Sequence, residues 1–214
     1  MVRVYVDGVE VGVPEGSTVL EAVAKAGREV PTLCYLGGVF SEATCRVCVV
    51  KVGGRAVPAC AYPVSEGLKV VTEDEELARL RRTSLELVLA SHRVSCWDCF
   101  AKSSCRLLSV ARKLGVEGLP VCSECPLYGP SCLVARGEPC LGALTVAGCG
   151  ATCPRNGSPC IGCRGYVSSE RVWREAIANH YQKHLKSLED LRAATTFFWT
   201  YLPPNLRRYL GGGP

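Results

Sequence analysis

Cysteine and histidine positions set the chemistry open to this 214-residue chain. The fifteen cysteines fall into three runs: Cys34, Cys45, Cys48 and Cys60; Cys96, Cys99 and Cys105, preceded by His92; and Cys122, Cys125, Cys132, Cys140, Cys149, Cys153, Cys160 and Cys163. Thiolates are soft, charged ligands, and at this density they fit a secreted disulfide framework, structural zinc or iron–sulfur clusters. A disulfide framework expects an apolar leader and an even count. Here Met1 runs straight into the alternating segment Val2-Arg3-Val4-Tyr5-Val6 and the count is odd, so the expectation is an intracellular chain whose cysteines hold metal.

The first run is spaced C-x10-C-x2-C-x11-C. Two irons that each need two thiolates, with sulfides that accept backbone N–H bonds from a glycine-rich loop, fit such a set as a 2Fe-2S cluster. A four-cysteine zinc site is the alternative, although zinc more often uses two CxxC knuckles and Cys34 and Cys60 stand alone.

The elements that must position these residues are legible in part. Residues 2–14 alternate around Asp7-Gly8, which predicts a hairpin, and Thr18 with Glu21 predicts a capping box on a short helix ended by Gly27. Val49–Val52 reads as a strand that turns at Gly53-Gly54 into a second strand ending at Cys60, and Leu68–Val71 as another. Thr72 with Glu75 predicts a second capping box, opening a helix with Leu77, Leu80, Leu85, Val88 and Leu89 on one stripe and His92 at its end. A short helix is expected from Arg106 to Leu114, then a linker from Gly115 to Pro120. Residues 122–165 show little periodicity, so metal ligation is their expected staple. Ser168 to about Leu202 reads as one long helix with the stripe Trp173, Ile177, Tyr181, Leu185, Leu188 and Leu191, stopped by Pro203-Pro204 and followed by a mobile or partner-bound tail. The predicted fold class is α+β, in segments 1–73, 74–118, 119–166 and 167–214.

Asp7-Gly8, Gly16-Ser17-Thr18-Val19-Leu20-Glu21-Ala22, Pro31-Thr32-Leu33-Cys34 and Cys45-Arg46-Val47-Cys48 resemble the N-terminus of the large iron–sulfur subunit of respiratory NADH dehydrogenase and of the iron–sulfur subunits of NAD-linked hydrogenases. The resemblance spans residues 1–105. It implies a ferredoxin-like β-grasp domain around a 2Fe-2S cluster on Cys34, Cys45, Cys48 and Cys60. It also implies a 4Fe-4S cluster on His92, Cys96, Cys99 and Cys105, whose neutral imidazole makes it easier to reduce.

The last eight cysteines depart from that family. Glu138-Pro139-Cys140-Leu141-Gly142, Thr145, Ala147-Gly148-Cys149-Gly150-Ala151, Cys153-Pro154 and Pro159-Cys160-Ile161-Gly162-Cys163-Arg164-Gly165 resemble the C-terminal region of the small subunit of soluble archaeal nickel–iron hydrogenases. That resemblance implies two further 4Fe-4S clusters over residues 122–165. Spacing leaves their partition open; one grouping joins Cys122, Cys125 and Cys132 with one of Cys160 and Cys163, and Cys140, Cys149 and Cys153 with the other.

No GxGxxG after a strand and no Walker-type loop offers a nucleotide or flavin site. A net charge of +5 without a basic tract argues against nucleic acid, and no apolar run reaches the roughly 20 residues of a membrane span. Four Asn and Gln residues and one Met point to a thermophile. His180 and His184 share a helix face and read as solvent or interface residues, and the aromatic run Phe197-Phe198-Trp199-Thr200-Tyr201-Leu202 as a docking segment for another subunit or, at most peripherally, a membrane. The expected function is a non-catalytic cytoplasmic electron-transfer subunit with one 2Fe-2S and three 4Fe-4S clusters. Its expected partners are hydrogenase subunits or a flavin- or NAD(P)-binding subunit. Alternatives are the input arm of a NADH, formate or aldehyde dehydrogenase, and, more remotely, a zinc-rich scaffold or nucleic-acid-binding module.

Overall fold

The computed structural model describes residues 1–195 and 201–211. They form two compact units: Met1–His92 with Arg106–Val116, and Arg93–Cys105 with the chain from Glu117 onward. The segment 74–118 is thereby divided, its helices lying in the first unit and its cysteine loop in the second.

The first unit is α+β. Its strands are β1 (Val2–Val6), β2 (Val9–Val13), β3 (Tyr35–Leu36), β4 (Phe40–Ser41), β5 (Val49–Val52), β6 (Arg55–Pro58) and β7 (Leu68–Val71). Five make one sheet in the order β2-β1-β7-β5-β6, with β1 parallel to β7 and the other pairs antiparallel. Asp7 (φ 48°) and Gly8 (φ 84°) supply the two left-handed residues that a tight hairpin turn demands. Alternation then sends Val4 and Val6 into the core, where they meet Val19, Leu20, Ala22 and Val23 of α1 (Val19–Lys25). The capping box forms as expected, with Thr18 and Glu21 satisfying each other's backbone N–H groups. Val19 and Leu20 then donate to the carbonyls of Tyr62 and Ala59, seating the helix start on the turn that carries Cys60.

Two local expectations are corrected. Strand β6 ends at Pro58, and Cys60 lies in the turn after it. Helix α2 (Glu75–Ser91) is capped by Asp74, whose carboxylate accepts from the Leu77 N–H, and not by Thr72. The Thr72 hydroxyl and amide are already committed to the Asp7 carboxylate, at 2.6 and 2.8 Å. Leu77, Arg81 and Leu85 form the buried stripe of α2, and the Arg81 guanidinium donates to the carbonyls of Val49 and Thr72. Helix α3 (Arg106–Lys113) is held by Arg106, which donates to the Tyr35 carbonyl and the Thr32 hydroxyl, and by a Lys113–Glu29 ion pair at 2.9 Å.

In the second unit the cysteine segment folds as short 3-10 turns, with α4 (Thr152–Arg155) and single bridges Pro120–Val146 and Thr145–Tyr166. The expected long helix is interrupted. It comprises α5 (Glu170–Ala176), a π-helical segment Ile177–Tyr181, α6 (Gln182–His184), an extended break at Leu185, and α7 (Leu188–Ala194). Helical structure at Tyr201 ends before Pro203, and the Pro203-Pro204 pair also starts the next element: Pro204 occupies the first turn of α8 (Pro204–Arg207), where a missing N–H costs nothing. Phe197, Phe198, Trp199 and Thr200 lie outside the described residues. Trp173, Tyr181, Leu191, Leu202, Leu206 and Leu210 are buried in one cluster with Cys122, Cys125, Cys132, Cys140 and Cys160, so apolar packing and the thiols share one core. Leu206 and Leu210 thus bury part of the segment expected to be mobile or partner-bound in this chain's own core.

Candidate metal centres

The first cysteine set gathers where the loop after α1 meets the β5–β6 hairpin. Cys34 precedes the β3–β4 turn, Cys48 enters β5 and Cys60 follows β6. The Cys34 and Cys45 sulfurs are 3.2 Å apart, and the Cys45 N–H points at Cys34 Sγ at 3.5 Å. Ala43 (φ 51°) and Arg46 (φ 55°) both adopt the left-handed region within this loop, an unusual conformation for residues with a Cβ that turns backbone N–H groups toward the sulfurs. Burial disfavours the Cys34 thiolate, but hydrogen bonds from Cys45 and Thr44 outweigh it and lower its pKa. Cys48 is buried beside Cys60, and burial pushes its thiol up to about 12.

His92 closes α2 in the first unit, its N–H donating to the carbonyls of Val88 and Leu89 and its residue exposed. Cys96, Cys99 and Cys105 belong to a tight turn of the second unit, in which Lys102 N–H donates to the Cys99 carbonyl. Cys96 is raised to about 11 by burial, partly offset by the Lys102 charge and reinforced by Cys105 and Cys99.

Cys122, Cys125, Cys132 and Cys140 line one small cavity together with Gly142 and His180. Cys140, which one of the open groupings placed with Cys149 and Cys153, lies with Cys122, Cys125 and Cys132 on this cavity. Burial raises Cys122 well above the ordinary thiol range and Cys140 to about 12. A Cβ on Gly142 would lie in ordinary contact with two of these sulfurs, 3.4 Å from Cys122 Sγ and 3.6 Å from Cys140 Sγ. Cys140 Sγ also accepts the Cys160 N–H at 3.2 Å. Cys160 is raised by burial first, with Cys149 and Cys153 adding like charge. Cys153 rides on α4, Cys149 lies in the loop before it, and Cys163 is exposed. Glu124 holds that loop by accepting the N–H groups of Gly148 and Gly150, each at 2.9 Å.

Thiol donors fit iron–sulfur chemistry, above all the buried ones around the cavity, and backbone N–H groups are aimed at the sulfurs of Cys34 and Cys140. Among the described residues no three His, Cys, Asp or Glu side chains converge on one point as a single-ion site requires. The thiols meet in pairs and around a shared cavity instead. Buried thiols that hold their protons this firmly must release them to bind iron.

His180 is a functional candidate that sequence reasoning misplaced. It is 3% exposed rather than solvent-facing, its ring stacks on Trp97 at 5.3 Å, and its Nε2 lies 3.6 Å from Cys132 Sγ. Desolvation, with smaller contributions from His184 and Lys183, depresses its pKa to about 4, so the ring is neutral near pH 7. His184 remains more exposed, in edge contact with His180. No helix among the described residues is long and apolar enough to cross a membrane.

Residues 1–75 match the family model of a 2Fe-2S iron-sulfur cluster binding domain. The HndD component of the NADP-reducing hydrogenase of Solidesulfovibrio fructosivorans is 39% identical over 127 residues, covering 56% of this chain and 22% of that protein. The gamma chain of the NAD-reducing hydrogenase HoxS of Cupriavidus necator is 37% identical over 109 residues, 51% of this chain and 47% of that one. The 75 kDa component of NADH-ubiquinone oxidoreductase from Reclinomonas americana is 34% identical over 119 residues, 55% and 17% respectively. A crystal structure of an NAD+-reducing [NiFe]-hydrogenase in the H2-reduced state matches with a TM-score of 0.51 at 37% identity, covering 53% of this chain and 49% of that chain. The chain spans less than half the length of these relatives. Residues 1–75 are a 2Fe-2S ferredoxin-like domain, and about half of the chain is similar to components of NAD(P)-reducing hydrogenases and of respiratory NADH oxidoreductases.

Proposed function

We propose that this chain is a non-catalytic electron-transfer subunit of a cytoplasmic, hydrogenase-related oxidoreductase. It relays electrons through one 2Fe-2S cluster, on Cys34, Cys45, Cys48 and Cys60, and three 4Fe-4S clusters. Each cluster supplies a site for one-electron uptake and release; the protein's part is to ligate, bury and hydrogen-bond it. His92, Cys96, Cys99 and Cys105 are proposed as the second ligand set on their spacing. Cys122, Cys125, Cys132 and Cys140 are proposed as the third, and Cys149, Cys153, Cys160 and Cys163 as the fourth.

The observation that carries this reading is the cavity lined by four thiols in the region beyond the 2Fe-2S domain. Four thiols around one cavity in the core of the second unit are a donor set of the size that a 4Fe-4S cluster needs. The proposed partners are catalytic subunits: hydrogenase subunits at one end and a flavin- or NAD(P)-binding subunit at the other.

Anaerobic purification followed by iron, acid-labile sulfide and zinc analysis tests the cluster inventory. The expected result is roughly 14 irons per chain, for one 2Fe-2S and three 4Fe-4S clusters. Zinc without sulfide would overturn the reading in favour of a scaffold. Cys132→Ser and Cys140→Ser should abolish the same electron paramagnetic resonance signal, and Cys153→Ser a different one. For the second set, His92→Cys should keep four clusters while lowering one potential.

A further inference from the structure

His180 has features that a packing residue does not require. It occupies the π-helical segment Ile177–Tyr181, and single-turn π insertions in a helix concentrate at functional sites because they re-aim one side chain at the cost of regular hydrogen bonding. The re-aimed ring is sandwiched into the core: it stacks on the buried Trp97 at 5.3 Å with 19° between the planes, and meets Tyr181 at 5.5 Å. Tyr181 is itself fixed by its hydroxyl, which donates to the Cys140 carbonyl at 2.8 Å. With its ring clamped in this way, His180 lines the same cavity as Cys122, Cys125, Cys132 and Cys140 and brings Nε2 to 3.6 Å from Cys132 Sγ. That separation is within sulfur hydrogen-bond range and is made between two buried groups.

We infer that His180 donates an Nε2–H hydrogen bond to the sulfur of Cys132 and thereby sets the reduction potential of the cluster held by Cys122, Cys125, Cys132 and Cys140. The inference rests on the proposal that these four thiolates hold a cluster. A single electron entering such a cluster adds one negative charge spread over its sulfurs. An N–H directed at a ligand sulfur stabilises that added charge, so the reduced state is favoured and the potential rises. No bond is made or broken in the imidazole, and the proton stays on Nε2. Four sulfurs already surround the cavity, so His180 acts as a positioning and tuning residue and not as a ligand.

The test uses the full chain, purified anaerobically, with an electron paramagnetic resonance-monitored redox titration of wild type, His180→Phe and His180→Gln. Phenylalanine keeps the stack on Trp97 and removes the donor; glutamine keeps an N–H near the same position. The expected result is wild-type iron and sulfide content in both variants, one 4Fe-4S signal shifted to lower potential in His180→Phe, and recovery of much of that shift in His180→Gln. Unchanged potentials in His180→Phe, or equal shifts in both variants, would overturn the inference. Loss of about four irons in both would make His180 a ligand and overturn it as well. Cys132→Ser separates the two levels: if that variant keeps every signal, the cluster assignment itself fails, whereas a lost signal with an unmoved His180→Phe potential removes only the role of His180.

Discussion

The ammonium of Lys102 is buried and donates to the Leu127 carbonyl at 3.1 Å while lying 5.4 Å from the centre of the Tyr128 ring. A buried cation is costly unless it answers nearby negative charge. Here its field favours the charged forms of Cys96, Cys122 and Cys125. Lys102→Met keeps the length of the side chain, strands the Leu127 carbonyl and removes that field. The expected outcome is a loss of about 1–3 kcal/mol in stability, the cost of one unsatisfied buried acceptor. Unchanged iron content and lower potentials for the clusters proposed on Cys96 and on Cys122 and Cys125 should accompany it. Thermal unfolding and a redox titration read the two effects separately.

Tyr181→Phe removes the hydroxyl's hydrogen bonds without changing ring packing. The hydroxyl is fully enclosed, donates to the Cys140 carbonyl and accepts from the Ala143 N–H. Removing it leaves a buried carbonyl and N–H unpaired and should cost about 1–3 kcal/mol or more. A lower melting temperature with unchanged iron content is expected, because the ring still packs on its neighbours.

Local signals were the legible ones. The Asp7-Gly8 turn and the Thr18–Glu21 capping box are decided by residues within four positions of each other, and both form as read. The Thr72–Glu75 box is the same pattern and fails, because Asp7, 65 residues away, takes the Thr72 hydroxyl first. Helical periodicity likewise recognised the stripe of Trp173, Ile177, Tyr181 and Leu191 but could not register the π segment or the break at Leu185, since apolar residues remain in phase across both. His180 was misread for the same reason: its burial is created by Trp97 and Cys132, far away in the chain. Cysteine spacing pointed to metal as the staple of the second unit, whereas the meeting of Cys140 with Cys122, Cys125 and Cys132 is a property of the folded cavity.

Acid should weaken the start of α2. The Lys51 ammonium, 2.5 Å from Asp74, holds the Asp74 carboxyl below the usual carboxylate range, and the Leu77 N–H adds to the effect. A carboxylate with a depressed folded pKa contributes its full stability above the unfolded value of about 3.9 and loses it as pH falls through the lower folded value. Asp74→Asn keeps a capping oxygen but lacks the charge. Its unfolding midpoint should lie below wild type at pH 7 and converge on it as pH falls through the lowered folded value of Asp74, below which both side chains are neutral. Parallel curves down to that pH would show that Lys51 contributes nothing through Asp74.

Glu124 offers a way to loosen one cysteine loop without touching a thiol. Both its oxygens are engaged, one by the Gly148 N–H and one by the Gly150 N–H, so the carboxylate brackets Cys149 from either side. The Glu124 carboxylate is not the loop's sole anchor: Arg164 donates to the Ala147 carbonyl, the Thr152 hydroxyl to the Cys149 carbonyl and Arg155 to the Gly150 carbonyl, but Glu124 alone engages the Gly148 and Gly150 N–H groups among the described contacts. Glu124→Ala leaves two N–H groups to find water, and the loop becomes free to swing Cys149 away from Cys153 and Cys160. If Cys149 ligates, the variant should lose about four irons, or lose them first on dilution into chelator, while the 2Fe-2S signal is unchanged. Glu124→Gln, which keeps one acceptor oxygen, should fall between the two. Full iron retention in Glu124→Ala under chelator would mean that the metal and the remaining anchors hold the loop, and that the carboxylate serves only the apo fold.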